Sequence, residues 1–318
     1  MLVRSYRAQD EAGLLELWNA TMHADPVNAA TFRTQVLLDP NSRPEGLLLA
    51  EEQGQLAGFV LVVYRQTPDS LQGLEPELGW VWAFGVAEPW RRRGVGRQLM
   101  SAAMAYLAGA GRKRALLSPY TPGYFIPGVD TEAYAGAVTF LQVLGWRVSS
   151  EPISMHADLT GFLVPTHIKE LERQLALEQG ITVRPVQPAD LVALPAFVVE
   201  HFGWDWHRLA RENLTVMFGA GSDERGVWVA SRGGQVVGYC QHSRERFGPF
   251  GVDPALRGKG IGRVLLFRCL ADMLAKGYHC AWFLWTGRRA AGLYAQAGFR
   301  TVRQFSIMER AVEATNGD

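Results

Sequence analysis

Phe84-Gly85-Val86-Ala87-Glu88-Pro89-Trp90-Arg91-Arg92-Arg93-Gly94-Val95-Gly96-Arg97 returns later in the chain as Phe250-Gly251-Val252-Asp253-Pro254-Ala255-Leu256-Arg257-Gly258-Lys259-Gly260-Ile261-Gly262-Arg263. Each copy is an apolar strand end, an acidic residue beside a proline, an Arg-x-x-Gly-x-Gly run, and then an amphipathic helix. Glycines strip Cβ atoms from the backbone, and a helix start offers unpaired N–H groups and partial positive charge, so such a loop suits phosphate oxygens. Arg91, Arg92, Arg93 and Arg97, with Arg257, Lys259 and Arg263 in the second copy, add cations for further phosphates. A Walker A loop is excluded, because Gly260 stands where Ser or Thr is needed. A Rossmann fingerprint is excluded too, because the loop sits mid-domain and reads Gly-x-Gly.

The surroundings repeat with the loop. Gly85 and Gly251, and Gly94 and Gly260, are offset by 166 residues. Upstream, Arg4 and Arg184, Gly46 and Gly226, and Gly58 and Gly238 are offset by 180. Downstream, Gly145 and Gly298 are offset by 153. The first half therefore carries two insertions, within Gln66–Gly79 and Pro119–Asp130, both turn-rich. Self-similarity at this length means tandem domains rather than a solenoid of short repeats. The boundaries predicted are a first domain over 1–160, a linker helix over 161–180 (within VPTHIKELERQLALEQG, closed by Gly180), and a second domain over 181–318.

The 318 residues suit two domains, and 48% hydrophobic with 20% charged residues is ordinary globular composition. A net charge of +1 gives no electrostatic ground for a nucleic-acid or anionic-membrane partner. No apolar run is long enough for a transmembrane helix, and the N-terminal stretch has acidic residues where a signal peptide is apolar. Cys240, Cys269 and Cys280 show no paired spacing, so a reduced, cytoplasmic protein without a metal site is expected.

Within each half the pattern predicts an α+β fold. A strand leads to a helix, with Asp10 and Asp190 as expected N-caps. Two hairpin strands follow, joined at Gln53-Gly54-Gln55 and at Arg232-Gly233-Gly234. The loop helix comes next, with stripes Leu99, Met100, Ala103, Met104, Leu107 and Leu265, Leu266, Cys269, Leu270, Met273. A strand, a short helix and a Gly-aromatic strand start complete the half. The sheet expected is mixed, mostly antiparallel, with six or seven strands.

On these residues the chain resembles the GNAT family of acetyl-CoA-dependent N-acetyltransferases, as two tandem modules. The family signature (Gln/Arg)-x-x-Gly-x-(Gly/Ala) is matched by Arg91–Gly96 and by Arg257–Gly262. The resemblance implies acetyl-CoA as cofactor, bound along Phe84–Val86 with Arg91–Arg97 and along Phe250–Val252 with Arg257–Arg263. It also implies a splayed or bulged strand ending at Val86 or Val252. The second half carries Leu293-Tyr294-Ala295-Gln296-Ala297-Gly298-Phe299, which resembles the aliphatic-Tyr-x-x-x-Gly-Phe segment of the family and puts Tyr294 at the general acid. In the first half the same register holds Leu141, which donates no proton. The second half is accordingly the expected catalyst.

Acetyl transfer to an amine needs a base for the ammonium form, an amide donor for the oxyanion and an acid for the leaving sulfur. The Val252 N–H is the candidate donor, and Glu245 and His242 are the candidates for the base. His201, Trp204, Asp205 and Trp206 fall in the region that walls the acceptor site in the resembled fold. They are read either as an aromatic, partly acidic amine pocket or as core. Tyr120, Tyr124 and Phe125 are read either as cover for the first groove or as packing. The function expected is N-acetylation of a primary amine on a small molecule or peptide. The alternative is a non-catalytic acetyl-CoA sensor.

Overall fold

The computed structural model describes residues 1–68 and 73–313. It divides into two compact units, Met1–Pro152 with the chain from Arg303 onward, and Ile153–Val302. Four residues of the Gln66–Gly79 insertion lie outside the described residues.

The first part of the chain runs β1 (Leu2–Ser5), α1 (Glu11–Thr21), α2 (Ala29–Phe32), β2 (Leu47–Glu52), β3 (Gln55–Val63), β4 (Leu78–Val86), α3 (Val95–Gly109), β5 (Arg114–Leu117), β6 (Val129–Asp130), α4 (Ala135–Val143) and β7 (Arg147–Ser150). Next come β8 (Ile153–Asp158), α5 (Thr166–Gln179), β9 (Ile181–Pro185), α6 (Ala193–Phe202), α7 (Trp204–Gly219), β10 (Arg225–Arg232), β11 (Gln235–Ser243) and β12 (Arg246–Val252). The chain continues with α8 (Ile261–Ala275), β13 (Cys280–Thr286), α9 (Arg288–Ala295) and β14 (Arg300–Ala311).

In the first unit β1 to β4 form an antiparallel meander, and β5 lies parallel to β4. β14 then pairs antiparallel with β5 on one side and β7 on the other. In the second unit β9 to β12 repeat the meander, β13 is parallel to β12, and β8 pairs antiparallel with β13. Both units are thus mixed, mostly antiparallel α+β sheets, as the sequence predicts.

The boundaries differ from the prediction. β8 falls inside the predicted first domain but pairs with β13, and β14 falls inside the predicted second domain but is the inner neighbour of β5. Each late strand therefore serves the sheet of the other repeat. The predicted linker helix forms as α5, stopped by left-handed Gly180, and it is not a free linker. Its Ile168 and Leu175 are buried in the core that also holds α8.

Both faces of each sheet are covered. In β3, Phe59, Leu61 and Val63 pack on the α1 side, while Ala57, Val60 and Val62 pack with α3. This explains a strand that reads as a continuous apolar run. In the second unit α8 covers one face, and α6 and α7 cover the other.

The expected helix caps are built differently. Asp10 and Asp190 each end a short 3-10 turn before the first helix, and neither makes a side-chain cap bond to that helix. Instead Asp10 takes two hydrogen bonds from the Arg4 guanidinium (2.7 and 2.9 Å) and one from the Arg7 amide. Asp190 takes the same set from Arg184 (2.6 and 2.9 Å) and the Gln187 amide. A buried carboxylate requires such a partner, so each helix is anchored to its first strand.

Candidate functional site

Each loop hangs on the end of a meander strand that has lost its neighbour. β4 and β5 pair from Leu78 to Val81, and the Ser118 amide makes a further bond to the Val81 carbonyl. The residues from Trp82 to Val86 then run on without a β5 partner in that register. In the second unit β12 and β13 share the single pair Arg246 and Trp282. The Ala87 amide bonds back to Ala57 of β3, and the Asp253 amide to Val237 of β11. Successive amides of a strand point to opposite edges, so the Val86 and Val252 N–H groups are directed into the opened splay. The Val252 amide, the candidate oxyanion donor, and its counterpart Val86 thus both face away from the meander.

The loops themselves close alike. Arg91 Nε donates to the Val86 carbonyl at 2.9 Å, and Arg257 Nε to the Val252 carbonyl at 3.3 Å. These two arginines therefore brace the turn, in addition to any charge they offer a phosphate. Gly94 (φ 85°) and Gly260 (φ 91°) start α3 and α8 in the left-handed region, where glycine carries no Cβ penalty. Arg93 lies over the Trp90 ring.

Around the first loop lies a cleft of about 970 Å³, lined by Phe84, Gly85, Val86, Arg91, Arg92, Gly94, Gly96 and Arg97. Its other walls are Met22 and His23 after α1, Trp82 of β4, Ser118 after β5, and Tyr134 with Phe140 at α4. Nothing stands within 4 Å of where a Cβ on Gly94 would lie. Residues Val95 and Gly96 belong to the first turn of α3, whose amides have no helical acceptor. The open glycine, the first-turn amides and the cations Arg92 and Arg97 fit a diphosphate. The Val86 amide at the inner end fits an acyl oxygen.

The second loop is more enclosed. A Cβ on Gly260 would come 2.8 Å from Leu171 of α5, and one on Gly251 would strike the Phe202 ring. Arg263 Nε is buried without a hydrogen-bond partner. Gly258 is left-handed (φ 84°), Lys259 is exposed, and the Ile261 side chain is buried.

Tyr294 lies between the diverging β12 and β13. Its ring centroid is 4.6 Å from Phe283, 5.8 Å from Phe250 and 6.0 Å from Phe247. Burial pushes its phenol up, against a hydrogen bond with Thr286. Leu141, in the equivalent register, is fully buried in the first unit's core.

The two candidate bases are not brought to this place. Glu245 is exposed in the turn before β12, at the opposite end of that strand from Val252, and hydrogen-bonds Cys280. His242 is fully buried, with Nε2 2.8 Å from Asp272 Oδ2 and Nδ1 3.1 Å from the Arg244 carbonyl. It is a satisfied core histidine.

The aromatic segment is partly assembled near the strand end. Phe202 and Trp206 stack at 5.0 Å beside Tyr239, which is paired with Gly251, while Asp205 is held by Arg208 at 2.7 Å. Trp204 is buried, and His201 packs on Phe197. The Tyr239 hydroxyl is buried without a hydrogen-bond partner. Tyr120 belongs to the first unit's core, with its hydroxyl bonded to Asn41 and Asp39, and Phe125 packs on Trp18.

Sequence reasoning missed Tyr134. It immediately precedes α4 and its hydroxyl donates to Asp25 Oδ2 at 2.8 Å while accepting from the Ala24 amide at 3.1 Å. Burial and then Asp25 push the phenol well above its ordinary range, so it stays protonated at neutral pH. The available signal was Asp130, whose side chain takes the Glu132 and Ala133 amides and sets the turn into α4.

A splayed mixed sheet with a glycine loop at the splay defines a fold that holds an acyl-CoA. Models of the Acetyltransferase (GNAT) family and the Acetyltransferase (GNAT) domain match residues 12–122 and 223–301. The chain is a tandem GNAT protein, an acetyltransferase that uses acetyl-CoA. Among solved structures it is similar to a fungal GCN5-related glucosamine N-acetyltransferase region within a multi-domain GH3 β-N-acetylglucosaminidase (TM-score 0.77, 20% identity). That match covers 97% of this chain and 38% of the fungal one. It is similar to a GCN5-related N-acetyltransferase from Sphaerobacter thermophilus (TM-score 0.70, 18% identity, 98% and 96% covered). A tandem GNAT protein from the clavulanic acid biosynthesis pathway is also similar (TM-score 0.62, 18% identity, 100% and 99% covered). No curated protein matches significantly by sequence. Among the described residues no helix is long and apolar enough to cross a membrane.

Proposed function

We propose that the chain N-acetylates a primary amine, and that it does so in the cleft of the first unit. The observation that carries this reading is the convergence on one cleft of the open glycine loop, the Val86 strand end and the Tyr134 phenol. Acetyl-CoA supplies an activated acyl group and a thiolate leaving group. The loop amides and Arg92 and Arg97 hold its phosphates, and the Val86 N–H meets charge that grows on the acyl oxygen. Tyr134 is neutral at physiological pH; its one hydroxyl proton rests on Asp25 and swings from that carboxylate to the departing sulfur, leaving a phenolate that accepts from the Ala24 amide. His23, on the same wall with its ring 5.5 Å from that of Tyr134, takes the proton of the incoming ammonium.

A second reading places the reaction in the second unit, with Tyr294 as the acid, Val252 as the amide donor and Asp205 and Trp206 beside the amine. Its support is the position of Tyr294 between the parted strands. The two readings separate in a paired test, with thiol release from acetyl-CoA followed over a panel of amino sugars, polyamines and peptide N-termini. Tyr134→Phe is expected to lower turnover by roughly 10²-fold, with Tyr294→Phe close to wild type. The reverse result moves the reaction to the second unit. Tight acetyl-CoA binding with no thiol release for any amine leaves the sensor reading instead.

A further inference from the structure

Arg303 is the first residue of β14 that belongs to the first unit, and its side chain lies behind Tyr134 of the cleft wall, on Asp25 and Asp130. Its guanidinium clasps Asp25 with two bonds, 2.7 and 2.8 Å, and Nε donates to Asp130 Oδ2 at 2.6 Å. Both carboxylates are well buried, at 10% and 5% side-chain exposure. Burial alone pushes Asp130 up, but the Ala133 amide, Arg303 and the Glu132 amide outweigh it and hold the group below the usual carboxylate range. The same Asp25 carboxylate receives the Tyr134 hydroxyl, and the same Asp130 sets the turn from which Tyr134 emerges. One guanidinium therefore fixes both ends of Tyr134, its backbone through Asp130 and its hydroxyl through Asp25.

A structural ion pair alone does not require this arrangement. A bidentate fork fixes a carboxylate plane as well as its charge, and here the free edge of that plane is what the phenol reads. The fork is supplied by a strand that follows the whole second unit in sequence. We propose that Arg303 is the positioning residue of the first unit's cleft, setting the Tyr134 hydroxyl through Asp25. This rests on the reading of Tyr134 as the proton donor.

The test uses the full chain, ring-¹³C-labelled at tyrosine, with the Tyr134 signal assigned by its loss in Tyr134→Phe. Arg303→Gln is expected to shift the Tyr134 Cζ resonance, and Arg303→Lys to shift it less, since charge is kept and the fork is lost. Acetyl-CoA, titrated as the probe, is expected to bind Arg303→Lys within about twofold of wild type, because loop and fork share no partner. An unmoved Tyr134 resonance in Arg303→Lys and Arg303→Gln overturns the proposal. If Arg303→Gln does not fold, an unmoved signal in Arg303→Lys is sufficient to overturn it. On turnover, Tyr134→Phe/Arg303→Lys is expected to be no slower than Tyr134→Phe. Multiplying losses overturn the positioning role and leave the donor reading standing. Undiminished turnover in Tyr134→Phe sinks the donor reading, while the resonance shift still reports whether Arg303 sets the phenol.

Discussion

Arg92 holds a left-handed backbone (φ 62°) at the position where the second copy has Gly258 (φ 84°). The loop needs this conformation in both units, and an L side chain there costs on the order of 1 kcal/mol. Arg92→Gly should therefore stabilise the first unit by up to about 1 kcal/mol while weakening its hold on acetyl-CoA, since the side chain lines the cleft. Denaturant melts and calorimetric titration must move in opposite directions; weaker stability in Arg92→Gly contradicts the strain argument. Asp10 and Asp190 give a second residue-scale prediction. The Arg4 and Arg184 hydrogen bonds, reinforced by the Arg7 and Gln187 amides, hold these carboxylates below their usual range against burial. A depressed folded pKa stabilises above the unfolded value of about 3.9, and that stability is lost as pH falls through the folded pKa. Asp10→Ala should cost roughly 1–3 kcal/mol at neutral pH, since Arg4 loses two charge-assisted bonds but keeps Glu51, and should flatten the acid limb of the stability profile. An acid limb equal to that of wild type would assign the loss to other carboxylates.

At the level of elements, the repeat was legible because loop, strand end and helix all had to be kept together for the backbone to face a phosphate. Gly94 and Gly260 could be paired by counting, and the meander followed from hairpin turns and apolar strands. The acid in the first half was not legible. Counting back from Gly145 reaches Leu141, which the fold turns into the core, while the phenol in the cleft comes from the helix start at Tyr134. The two candidate bases lie away from the strand end for a similar reason. Glu245 is near Val252 in sequence, but an extended strand carries it to the opposite end of the sheet. α5 was legible as a helix, yet not as a lid on Gly260. Its Leu171 predicts that the two loops differ in access. Leu171→Ala should raise the acetyl-CoA affinity of the second unit and leave that of the first unchanged. Titration of Leu171→Ala in a Gly94→Asp background isolates the second loop; no gain there would mean that the leucine does not cover the phosphate face.

Over the whole molecule, the exchange of late strands was invisible to pattern reading, because β8 and β14 each look like the natural end of their own half. Pairing partners are set by contacts far apart in sequence, and period-2 alternation carries no record of them. The expected consequence is that residues 1–160 alone lack the strand between β5 and β7, as well as Arg303. Made separately, that fragment should show little amide-exchange protection in β5 and β7, and a peptide spanning residues 300–313 should restore it. Protection equal to that of the full chain, without the peptide, would show that another segment fills the slot. The same connectivity gives the protein an unusual order of assembly. During synthesis β8 is already available when β13 emerges, so the second unit has all its strands as soon as it has been translated. The first unit, though translated earlier, must keep the gap between β5 and β7 open until β14 arrives. The half that is made first is the half that is finished last, and its cleft acquires Arg303 only once the second unit has been made.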